Sequence, residues 1–230
     1  MTMLLSLVPG FHGRQTPLDP AGSQALHIEH TLFLIFSITS IVTAIVFDYR
    51  GFDTMGEEFI LFASVVGVVL LLRDMREPAA GQDDPVASDA IRLFGILMVG
   101  VVLVLGLWLA AFGLVTPGGG FQGGVAIAGG IVLTFLATGY RAWRAFGRER
   151  LLDPFEGLGA ASYIAVGLAA LIAGAPFLHN LLGLGVAGTL ESGGSMSLLN
   201  WAVAVEVAAA NLVLYTEFLE SYLVPHLPRR

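Results

Sequence analysis

The 230-residue chain contains no cysteine. Disulfides, thiolate metal sites, iron–sulfur clusters and a cysteine nucleophile are therefore excluded. Lysine is absent as well, which removes Schiff-base chemistry and the lysine of a phosphate-binding loop. Charge of either sign is scarce: Asp, Glu, Lys and Arg make up 13 % of the residues, and the formal charge of −7 argues against nucleic acid as a ligand. No HExxH occurs, and His27 and His30, three residues apart, lack the further ligands a metal site needs. They read as interfacial anchors. No cofactor and no metal are expected, and redox or nucleotide-driven work falls to partners.

What the chain has in excess is apolar surface. Hydrophobic residues make up 56 % of it and the mean hydropathy is +0.80, values that ordinary soluble domains do not show. An all-α, polytopic integral membrane protein follows, and at about 20 residues per crossing the length accommodates roughly six helices with short loops. The apolar runs fall at residues 31–47, 59–72, 91–115, 125–140, 158–175 and 197–218. Residues 1–10 are apolar but lack a basic leader and are broken by Pro9 and Gly10, so they read as a mature segment lying at the interface.

The 59–72 run should draw residues 54–58 into its first turn, where carboxylates suit a helix N-terminus. Residues 73–90 carry two prolines with Asp83, Asp84 and Asp89 and read as a linker. They divide a two-helix module, residues 1–85, from a four-helix module, residues 86–230. Within the second module, residues 181–190 are apolar enough to lie flat or re-enter. Six spans gather ten of the eleven arginines on one side, at the N-terminus, the linker, the 141–150 loop and the C-terminus. The positive-inside rule places both termini in the cytoplasm. The opposite side carries Arg50 alone against Asp48, Asp53, Glu57, Glu58 and Glu191, and such a surface either concentrates cations at an outer mouth or simply solvates short loops.

Between the third and fourth runs stands Pro117-Gly118-Gly119-Gly120-Phe121-Gln122-Gly123-Gly124. Proline ends a helix and glycine holds no side chain between two backbones, so a tight joint is expected. Gly118, Gly120 and Gly123 match the GxGxxG dinucleotide pattern, but no soluble βαβ unit surrounds them and no acidic residue follows at ribose-binding distance. The spacings Gly119/Gly123, Gly120/Gly124 and Ala126/Gly130 suit close helix contact instead. A hairpin with a close-packed exit is the simpler reading, and an ion-handling broken helix is the other.

Glu206 is a carboxylate well inside the last run. A group at that depth costs at least about 2.5 kcal/mol to insert and invites a functional hypothesis, either ion handling or a polar contact between helices. Asn200 and Asn211 add polar groups to the same helix. Glu217 and Glu220, near the cytoplasmic exit, read as a solvated helix end.

These stretches carry a resemblance. The Pro117–Gly124 motif, followed after a basic loop by a helix with Asn200 and Glu206, resembles the B subunit of multisubunit Mrp-type Na⁺/H⁺ antiporters. The run Asp48-Tyr49-Arg50-Gly51-Phe52-Asp53-Thr54-Met55-Gly56-Glu57-Glu58 is similar to the two-helix module at the C-terminal end of the large A component of that antiporter. In membrane-bound hydrogenases a similar module is a separate small subunit. The resemblance implies a bacterial or archaeal plasma-membrane complex that moves Na⁺ and H⁺. Large antiporter-like subunits are the implied partners, with membrane lipid around them. It implies a scaffolding, non-enzymatic subunit that also lines a cation path, with Asp48, Asp53, Glu57 and Glu206 as ion-path candidates. Arg50, Gly51, Phe52, Pro117, Gly118, Gly119, Gly120, Phe121, Gly123 and Gly124 are the implied structural motif. Fusion of the two modules in one chain leaves open a redox-driven relative, hydrogenase-like or like complex I.

Overall fold

The computed structural model describes residues 40–72, 88–139, 149–183, 185–186, 188–190 and 192–223. The N-terminal segment with His27 and His30, the linker from 73 to 87, Arg141, Arg144, Arg148 and the C-terminal prolines lie outside the described residues. Within them the chain is helical. Helix α1, Ile41–Ala44, continues as a π-helical turn, Ile45–Tyr49. It is followed by α2 (Gly51–Leu72), α3 (Asp89–Ala111), α4 (Gly120–Thr138), α5 (Glu149–Ile172) and α6 (Ser195–Leu223). Four of these have the length and apolarity to cross a membrane, and residues Gly120–Phe135 add a shorter apolar helix. Five of the six apolar runs are thus helical, and the first lies mostly outside the described residues.

The boundaries shift in informative ways. Helix α2 begins at Gly51, so the whole acid-rich turn from Phe52 onward is its first two turns. Helix α3 stops at Ala111, short of residue 115, because Val115 and Thr116 both donate to the Phe112 carbonyl in a closed turn ahead of Pro117. Helix α4 starts earlier than the apolar run suggested, at Gly120 inside the glycine motif. Residues 181–190 form an irregular connection. Asn180 pins it: its Nδ2 donates to the Gly193 carbonyl, and its Oδ1 accepts from the backbone N–H of Ser195.

Glycine sets how the helices approach. In α3 the buried Gly95, Gly106 and Ala110 form one stripe. A methyl at Gly95 would meet Ala137, and one at Gly106 would meet Ile127. From α4, one at Gly130 would meet Leu103, and one at Gly123 would sit 2.7 Å from the Ala110 nitrogen. The pairs run in opposite senses along the two helices, so α3 and α4 are an antiparallel hairpin in near backbone contact, as small residues permit in membranes. Gly120 and Gly124 face a different neighbour: methyls there would meet Asn200 and Ala204, and Ala204 and Val207, of α6. Gly119 is not part of the helix; its φ of 147° makes it the hinge residue.

Helix α6 is the axis of the bundle. Of its apolar window 61 % is buried, against 11 % for α2 and 17 % for α3. Two apolar clusters stack along it: Leu199, Val203 and Val207 with Phe47, Leu114 and Tyr163, then Ala210, Leu212 and Val213 with Val65, Ala128 and Leu152. The outer faces of α2 and α3, including Phe59, Leu71, Phe94, Leu97 and Val104, are exposed, as lipid or neighbouring subunits require.

Candidate functional site

The two sequence motifs, some 60 residues apart, meet at a cavity of ≈ 220 Å³. Its walls are Val42, Thr43, Val46 and Phe47 from the α1 and π segment, Thr54, Glu57 and Glu58 from α2, the joint residues Gly118–Gln122, and Val203 of α6. Each wall is held by polar groups that answer for a break in a helix. At the joint, Asn200 of α6, 1 % exposed, donates its Nδ2–H to the Ala110 carbonyl (2.8 Å). Its Oδ1 accepts the Gly120 N–H (2.7 Å). These are orphan backbone groups at the end of α3 and the start of α4, and in a bilayer no water would satisfy them. Thr43 closes the remaining side by donating its hydroxyl to the Gly113 carbonyl, beside the Ser40 N–H to Leu114 carbonyl bond (3.2 Å).

On the other wall the chain widens into the π turn. The Thr54 hydroxyl reaches back to the carbonyls of Val46 (2.8 Å) and, more weakly, Arg50 (3.4 Å). Such turns leave carbonyls misaligned and recur where a side chain must be re-aimed. Here the turn brings Phe47 onto the Tyr163 ring, with centroids 6.4 Å apart. Tyr163 in turn donates its hydroxyl to the Gly51 carbonyl (2.8 Å), tying α5 to the first residue of α2.

The chemistry lies behind the cavity. Helix α2 buries one stripe only, Gly51, Thr54, Glu58 and Val65. Glu58 is 2 % exposed and Glu206 of α6 is 0 % exposed. The two carboxyls lie near enough to feel each other's charge, and Glu206 also feels the buried Glu156 of α5. Among the described residues none of the four carboxyl oxygens of Glu58 and Glu206 has a hydrogen-bond partner. Gly159 makes it compact. A methyl there would lie 2.5 Å from the Glu206 Cβ, and the absence of one lets α5 press against α6 at this level. Three helices thus bring three carboxyls together within the membrane-spanning part of the bundle.

The ion-path candidates are distributed unevenly. Glu206 is central. Glu57 is exposed and lines the cavity, as its neighbour Glu58 does from the buried side. Asp53 is exposed, ion-paired to Arg50 at 2.7 Å. Asp48 is half-buried within the π turn. Of the motif residues, Gly118, Gly119, Gly120 and Phe121 line the cavity, Gly123 and Gly124 pack helices, Gly51 takes the Tyr163 bond, and Pro117 and Phe52 face outward. Glu217 corrects an expectation: it is fully buried, three turns along the same face of α6 as Glu206, and is no solvated helix end. Asn211 only bonds its own helix, donating to the Val207 carbonyl. Glu156 carries no signal in the sequence, and Glu58 figures there only among the acids of the outer surface, not among the ion-path candidates. Small or polar residues at Gly51, Thr54 and Glu58, and at Glu156, Gly159 and Tyr163, repeat at helical spacing, and that was the available signal.

An uncharacterized protein of Methanocaldococcus jannaschii is 31 % identical over 167 residues, which are 63 % of this chain and 61 % of that protein. A probable K⁺/H⁺ antiporter protein of Rhizobium meliloti, of combined A/B type, is also 31 % identical over 167 residues, 61 % of this chain but 16 % of its own length. The chain therefore spans about three fifths and about a sixth of these two relatives. Among solved structures, a chain of the membrane-bound sulfane sulfur reductase, an archaeal respiratory membrane complex, superposes with a TM-score of 0.68 at 27 % identity, covering 95 % of this chain and 91 % of that one. A chain of the Mrp complex from Dietzia sp. DQ12-45-1b shares the fold, with a TM-score of 0.66 at 21 % identity over 95 % of this chain and 24 % of that one. Residues 90–213, from α3 into α6, match the domain related to the MnhB subunit of Na⁺/H⁺ antiporters, and with more than half its length inside that match the chain belongs to this family of multi-pass membrane proteins.

Proposed function

We propose that the chain is a membrane subunit of a multisubunit monovalent cation (Na⁺)/proton antiporter complex of the plasma membrane, scaffolding the assembly and lining the cation path. The supporting observation is the meeting of the 48–58 turn and the 117–124 joint on one cavity, backed by the Glu58 and Glu206 carboxyls. An ion leaving water loses its hydration and needs oxygen ligands or a counter-charge inside the membrane; buried carboxyls with free oxygens supply both. Glu57, exposed on the cavity wall, forms the acidic approach. Residues 1–85 act as the module that brings Glu58, and residues 86–230 as the module that brings the joint and Glu206. The chain catalyses no bond-making step and works with large antiporter-like partner subunits. Reconstituted in vesicles, the complex should lose most Na⁺-driven proton movement with Glu206→Gln, by tenfold or more, and keep it with Asp53→Asn. Unchanged exchange across sodium and pH with Glu206→Gln would reject the path.

A second reading has its own support. The sulfane sulfur reductase chain is matched over 91 % of its length. On that reading the same bundle serves a redox-driven membrane complex. Mass spectrometry of what co-purifies with a tagged chain decides: antiporter-like subunits without redox proteins support the first reading, and iron–sulfur partners the second.

A further inference from the structure

We infer that Glu58 and Glu206 together form a one-cation site, holding a single proton between their carboxyls that Na⁺ entering from the adjoining cavity replaces. This deepens the antiporter reading and rests on it for its purpose, though not for its chemistry.

Two carboxylates near each other within a low-dielectric bundle cannot both stay ionised without a positive charge between them. Around the pair, α2 contributes Glu57 and the Thr54 hydroxyl, and α5 contributes Glu156 and the Tyr163 hydroxyl. Among the described residues these groups are acidic or neutral, and the balancing charge we assign to the pair is a mobile one, a proton or an alkali ion. One proton suffices, since a protonated carboxyl donates to its ionised neighbour and satisfies oxygens that otherwise have no donor. Access runs through the cavity, where Glu58 forms the inner wall and the N-terminus of α4 opens opposite. The positive end of that helix dipole favours the singly ionised pair over the neutral one.

The balance of the exchange is simple. Na⁺ enters, one O–H bond of the pair breaks, and one H⁺ leaves to solvent. No electron moves.

The test uses the complex purified through a tag on the full chain, in lipid nanodiscs and weak buffer. Replacing choline chloride by NaCl should release protons, read by a pH dye, while an infrared difference spectrum shows loss of a protonated-carboxyl C=O band and gain of carboxylate. Glu58→Gln and Glu206→Gln should each lower the release by one proton per chain and erase the band. Ser64→Ala, on the exposed outer face of α2 and away from the cavity, should change neither, and normal elution of all three variants serves as the folding control. Equal release from wild type and both variants would overturn the inference, as would a wild-type complex that exchanges cations with no Na⁺-dependent band. The two readings part cleanly. Antiport without the band sinks this inference alone. The band, with antiport unaffected by Glu206→Gln, sinks the cation-path reading and leaves the site standing.

Discussion

At the scale of the residue, Asn200 is the side chain whose loss should cost most without touching the carboxyls. Asn200→Leu keeps the branched shape but strands the Ala110 carbonyl and the Gly120 N–H. Each stranded group costs about 1–3 kcal/mol, so the midpoint of thermal unfolding, followed by size-exclusion fluorescence, should fall by several degrees and complex assembly with it. Arg50→Gln provides the contrast. Its ion pair with Asp53 is exposed on both sides, and such pairs contribute about 0–1 kcal/mol, so stability should barely change. The depth of Glu206 was legible in the sequence, because a single carboxylate within an apolar run is conspicuous, and it is buried. The sequence reading chose Glu57 over Glu58, adjacent in the chain and opposite in the structure, where Glu58 is the buried one. Which of two neighbouring acids faces inward depends on helix phase, and the phase is set by Gly51 and Thr54, which carry too little hydrophobicity to register as a core stripe.

At the scale of the element, the glycines of α4 separate into two working faces and one idle one. Gly124→Ala would press a methyl to 2.8 Å from the Ala204 carbonyl oxygen and should part α4 from α6. Gly129 has nothing within 4 Å, so Gly129→Ala should be neutral or stabilising by about 0.5–1 kcal/mol through helix propensity. Unfolding midpoints of the two variants, measured side by side, should move in different directions; equal losses would mean the helix packs elsewhere. The motif was legible as a joint, and its small-xxx-small spacing was legible as packing. That Gly120 and Gly124 serve α6 while Gly123 serves α3 was not, since a four-residue spacing states that a face is used but not by whom.

At the scale of the whole molecule, the arrangement around α6 makes a prediction about sidedness. The arginine bias puts both termini in the cytoplasm, so a green fluorescent protein fused after Arg230 should glow and alkaline phosphatase fused there should be inactive. The reverse pattern would invert the bundle and place the acidic 48–58 turn inside the cell. Span number was readable from hydropathy because a bilayer fixes helix length, whereas the partners of the bare α2 and α3 faces leave no such imprint. The π turn at Ile45–Tyr49 has a consequence for descent. It is one residue more than an α-helix needs, and each residue turns a helix by about 100°. Deleting a residue there would rewind the turn and rotate everything before it by that angle, swinging Thr43 off the Gly113 carbonyl and Val42 off the cavity wall. Relatives that carry a one-residue gap at this point should therefore have lost the chamber as a unit, even where every carboxylate is retained.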